Sequence, residues 1–91
     1  MNSINEIQMA VCNELHVGFN ELTKKSKQEF LTIVARAISI VLCYEKGFKK
    51  AEIMSSHGCT LQNFKYALTI YHRVKDEKLY KQVIFKIRNH E

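Results

Sequence analysis

Between Phe30 and Tyr44 the chain runs 15 residues with one charged side chain, Arg36. No proline interrupts it, and none occurs anywhere in the 91 residues. Apolar groups fall on nearly every face of a helix over this stretch, and a helix of that kind is one that others surround. At 15 residues with an internal Arg it is too short to span a bilayer. The segment therefore predicts an all-α domain built around a central helix. A chain of this length makes one domain, residues 1–91, and buries roughly 60% of its unfolded surface. Its 46% apolar content matches an ordinary folded protein.

The flanking segments predict a compact bundle of about five helices. Ser3 followed by Glu6 is a capping box, and Ile4, Ile7, Val11 and Leu15 form one apolar stripe, giving a helix from about Asn5 to His16 that Gly18 ends. Val17, Phe19 and Leu22 are buried pegs of a connector with a helical turn. The central helix is expected from near Lys24–Lys27 to about Glu45, with Gly47 as C-cap glycine. A short helix follows from about Lys49 to Ser56. Gly58 makes a turn, and Thr60 caps a helix reaching about Val74. Its expected buried stripe is Leu61, Phe64, Leu68 and Tyr71, with Ala67 at a close approach. Asp76 and Glu77 open the last helix, with Tyr80, Val83, Ile84 and Ile87 inward and Lys78, Lys81, Lys86 and Arg88 outward.

Two helices joined by the tight turn His57-Gly58-Cys59 have the outline of a helix-turn-helix, whose second helix lies in the DNA major groove. The outward stripe of that helix is Gln62, Asn63, Tyr66, Thr69 and Arg73. Gln and Asn amides match the donor–acceptor edge of adenine, and Arg73 and Lys65 suit guanine or phosphate. Lys49 and Lys50, beside this helix, and the cluster Lys24, Lys25 and Lys27 are candidate phosphate contacts. Every one of these side chains is equally at home on a solvated helix face.

The charge is asymmetric. Residues 1–23 carry net −3 and residues 24–91 net +8, for +5 in all. A basic body fits a polyanionic partner, and double-stranded DNA is the expected one. Cys12, Cys43 and Cys59 are odd in number and lack CxxC spacing, so they read as core thiols in a reducing compartment. The N-terminus has no signal-peptide pattern, so a cytoplasmic location without membrane contact is expected. His57 and Cys59 lack the second ligand pair that a zinc site needs. No cofactor is expected, and with no paired carboxylates, phosphate loop or nucleophile motif, no enzyme is expected either.

The order of these features resembles the C-terminal DNA-binding domain of the bacterial replication initiator DnaA, within the Trp-repressor-like helix-turn-helix group. The segments carrying the resemblance are Ile4-Asn5-Glu6-Ile7-Gln8-Met9-Ala10-Val11, Leu15-His16-Val17, and Asn20-Glu21-Leu22-Thr23-Lys24-Lys25-Ser26-Lys27. They are similar to the family's opening helix, connector and basic loop. Ala35-Arg36-Ala37-Ile38-Ser39-Ile40-Val41-Leu42 is similar to its central helix, Glu52-Ile53 to the start of its helix-turn-helix, and Ala67 to a small residue of its recognition helix. The resemblance covers nearly the whole chain and rests on order and spacing. It implies that Lys24, Lys25 and Lys27 contact backbone and minor groove, and that Gln62 and Asn63 match base-contacting positions with different chemistry; Thr60 beside them is a further candidate DNA contact. The family's Gly-Gly, Arg and Asp-His-Thr-Thr-Val are replaced by His57-Gly58-Cys59-Thr60-Leu61-Gln62-Asn63-Phe64. Recognition of the family's own DNA box therefore does not carry over.

The expected function is DNA binding without the ATPase module of the initiator, in a regulatory system or a mobile element. The competing expectation is a protein-interaction module that keeps the fold and has lost sequence-specific DNA binding. A nonspecific, lysine-driven DNA binder is the third. A homodimer stays open, because Phe48 fits a dimer contact and a place against the first helix equally well.

Overall fold

A computed structural model describes residues 3–23 and 29–89. Among these residues there are six helices and no strand: α1 (Ile4–Leu15), α2 (Phe19–Thr23), α3 (Phe30–Glu45), α4 (Lys50–His57), α5 (Leu61–Val74) and α6 (Lys78–Arg88). The helical turn expected in the connector is α2. The lysines 24, 25 and 27 lie outside the described residues.

The helix α3 is the hub. Its ten successive residues from Val34 to Cys43 are all buried, and α1, α2, α4 and α5 pack around it. The arrangement measures 28 × 27 × 22 Å. α6 lies at the periphery against α1, with Val83, Ile84 and Ile87 turned inward. Tyr80 is half-buried beside them. Leu22 and Val17 are buried as expected, whereas Phe19 is partly exposed. No helix among the described residues is long and apolar enough to cross a membrane.

The helix ends follow local chemistry. Ser3 Oγ accepts from the Glu6 backbone N–H at 3.1 Å, forming the expected N-cap of α1. The C-terminus of α1 differs from expectation. His16, not Gly18, takes the left-handed conformation at φ 57°, and the Val17 N–H bonds back to the Cys12 carbonyl. Gly47 plays that role after α3 at φ 96°, and Gly58 after α4 at φ 57°. The polar core is satisfied as well. Arg36, buried on α3, donates to the Leu22 carbonyl at 2.7 Å and so ties α2 to the hub.

Candidate nucleic-acid interface

The turn at Gly58 joins α4 to α5; two polar links tie α4 to other helices and a third bond closes the turn. Gln8 of α1 donates to the Ser56 carbonyl at 3.0 Å, which satisfies one of the carbonyls that the last turn of α4 leaves unpaired. His57, at the end of α4, is fully buried and bonds to Ser39 of α3. The Cys59 N–H closes the turn by donating to the Met54 carbonyl at 3.0 Å. The position of α4 is thus set by α1 and α3 together.

Thr60 then starts α5. Its Oγ1 accepts from the Asn63 N–H at 3.2 Å, and the Asn63 side chain accepts in return from the Thr60 N–H at 3.5 Å. Asn63 is half-buried in this capping box. Its amide oxygen is thus engaged by the backbone at the cap. Gln62 remains exposed and uncommitted.

The buried face of α5 is rotated from expectation. Phe64, Ala67, Ile70, Tyr71 and Val74 face α3, while Leu61 is 46% exposed and Leu68 half-buried. The outward face accordingly carries Gln62, Lys65, Tyr66, Thr69 and Arg73, all exposed. It also carries His72, which shares a stripe with Lys65 and Thr69 through its spacing. α5 contains no Asp or Glu over its whole length, so nothing on this helix repels a polyanion.

Lys49 and Lys50 are exposed at the start of α4. The Lys50 Nζ sits 5.2 Å from the centroid of the Phe64 ring, a cation–π contact that holds its chain beside α5. Phe48 is half-buried against the core.

Burial dominates the electrostatics behind the turn, with the Arg36 charge a smaller contributor. Burial pulls His57 down to about 4, the Ile53 carbonyl resists this, and the Arg36 charge adds to it. Burial raises Cys59, and Arg36 works against that shift. Cys43 is pushed up to about 12 by burial, with Ser39 opposing. The thiols are free and protonated, with Cys12 and Cys43 buried. Among the described residues no three His, Cys, Asp or Glu side chains gather as a metal site.

On the far side, Arg88 of α6 bonds both oxygens of Glu45 on α3, at 3.0 and 2.7 Å, and the Tyr71 hydroxyl of α5 at 2.7 Å. Lys86 pairs with Glu14 of α1. These two cations of α6 are committed to holding the helix in place. A cleft of about 550 Å³ lies beside this latch, between α5 and α6.

No family model, curated protein or solved structure matches this chain.

Proposed function

We propose that the protein binds double-stranded DNA, with α5 in the major groove and the lysines around α4 on the phosphate backbone. One observation carries this reading. α5 is held by a capped turn with a solvent-facing stripe of Gln62, Lys65, Tyr66, Thr69, His72 and Arg73 and no carboxylate. A helix of 14 residues is roughly 21 Å long, enough to lie across the major groove between its two phosphate rails. Gln62 supplies a donor and an acceptor to one base edge, where a bidentate pair contributes ~1–3 kcal/mol of discrimination. Lys49, Lys50 and Lys65 add a sequence-blind, salt-dependent attraction. The arrangement is a DnaA-like, Trp-repressor-like helix-turn-helix in this reading, with a different DNA target.

A second reading, a protein-interaction module on the same scaffold, is favoured by Phe85, which is 68% exposed on α6. Selection of random duplexes on the purified protein at ~0.15 M salt separates the two. DNA reading yields an enriched motif that Gln62→Ala blurs. Failure to retain any duplex, with the chain folded, refutes it and leaves the interaction module.

A further inference from the structure

Three helices converge on the ring of Phe64. The ring itself is 1% exposed. Tyr44, from the last turn of α3, meets it edge-on at 5.7 Å between centroids and 82° between planes. Lys50, the first residue of α4, places its ammonium 5.2 Å from the same centroid. Tyr44 and Lys50 therefore both rest on one buried ring near the N-terminal end of α5. Tyr44 is 52% exposed, and among the described residues its hydroxyl has no hydrogen-bond partner.

We infer that Tyr44 and Lys50 jointly grip one phosphate of the DNA backbone where α5 enters the groove. The inference rests on the DNA-binding reading above and adds Tyr44 as a partner to the lysine already expected on phosphate. A hydroxyl and an ammonium anchored to the same ring offer two donors, which is the chemistry that a phosphate oxygen pair takes. Contact with Phe64 limits the motion of both chains before binding, so less rotamer entropy is lost on docking. Lys46 and Lys49 are exposed nearby in sequence, and Glu52 is the one exposed carboxylate of α4. If Tyr44 served only to cover Phe64, its ring would suffice and its hydroxyl would be idle.

That contrast defines the test. Anisotropy titrations on a short mixed-sequence duplex, repeated over a series of salt concentrations, compare wild type, Tyr44→Phe, Lys50→Met, the double variant and Gln62→Ala. Tyr44→Phe keeps the ring on Phe64 and is expected to weaken binding roughly fivefold with every sequence. It leaves the salt slope unchanged, because no charge is lost. Lys50→Met lowers the magnitude of the slope by about 0.9. The double variant loses less than the product of the two single losses, because both groups hold the same phosphate. Unchanged binding by Tyr44→Phe, in a wild type that does bind DNA, overturns the grip and leaves the DNA reading standing. Multiplicative losses assign the two groups to different phosphates and overturn it too. A wild type that binds no duplex overturns both readings together.

Discussion

The Oγ of Ser39 lies 2.7 Å from Nε2 of His57, joining α3 to the end of α4 inside the core. The other ring nitrogen, Nδ1, lies 2.8 Å from the Ile53 carbonyl oxygen. A carbonyl can only accept, so Nδ1 carries the proton, Nε2 is left as acceptor, and Ser39 donates to it. Both side chains are fully buried. This neutral pair fixes the last residue before Gly58 and with it the point where the turn leads into α5.

Keeping His57 neutral makes stability depend on pH. Its value of about 4 in the fold lies below the ordinary 6.5 of the unfolded chain. Between those values the unfolded chain takes up a proton that the native state refuses. Stability from this group is complete above 6.5 and falls as pH drops towards 4, by a total on the order of 3 kcal/mol. Urea midpoints measured from about pH 7 to about pH 4.5 in wild type and His57→Gln check this, since other groups cancel in the difference. Parallel pH profiles of the two proteins refute it.

Ser39→Ala removes the donor and leaves Nε2 buried with nothing to accept from. The expected loss is ~1–3 kcal/mol, the desolvation cost of an unsatisfied buried polar atom. Because protonation of Nε2 no longer has a hydroxyl donor to displace, the pH profile also becomes shallower. Chemical denaturation at neutral and acidic pH reads both effects, and a variant as stable as wild type rules out the bond as a stabilising contact.

Arg36→Met tests how α2 is held. The guanidinium donates to the Leu22 carbonyl from a side chain 7% exposed. Methionine fills similar volume but donates nothing, so a loss of about 1.5–3 kcal/mol is expected. Hydrogen exchange should show the amides of α2 losing protection ahead of the rest. Uniform loss across all six helices contradicts a local tie.

Much of the fold is legible in the sequence because it is written locally. The Ser3 and Thr60 caps, Gly47, Gly58 and the uninterrupted apolar run of α3 each place an element through chemistry within a few residues. The buried arc of α5 is not. Phe64, Ala67 and Tyr71 belong to both candidate stripes, and only contact with α3 selects Ile70 and Val74 over Leu61 and Leu68. The partners of His57 and Gln8 are likewise set by tertiary packing, with Gln8 reaching a carbonyl 48 residues away. Asn63 shows the limit within the site itself. The same amide serves a base edge or a helix cap, and local spacing cannot distinguish the two.

The turn residues give a paired prediction of opposite sign. His16 and Gly58 share the left-handed conformation at φ 57°. A side chain there costs roughly 1–2 kcal/mol, which glycine avoids. Gly58→Ala should therefore destabilise by about that much. His16→Gly should stabilise by a smaller amount, offset by the greater freedom of glycine in the unfolded chain. Thermal melts of both variants decide the matter, and two shifts of the same sign would falsify the shared conformational origin.

A carboxylate on the outer face of α5 separates the stability of this helix from its function. Thr69 is exposed there, four residues after Lys65 and four before Arg73. Thr69→Glu brings a negative charge within reach of both cations along the helix, where such pairs contribute ~0.2–0.5 kcal/mol. The fold is therefore kept or slightly strengthened. Against phosphate, the same substitution neutralises the local positive field and adds repulsion at the surface proposed to enter the groove. Affinity for duplex DNA should fall at least about tenfold, while the melting temperature holds or rises. A variant that melts like wild type and binds DNA as tightly places the DNA surface elsewhere on the protein.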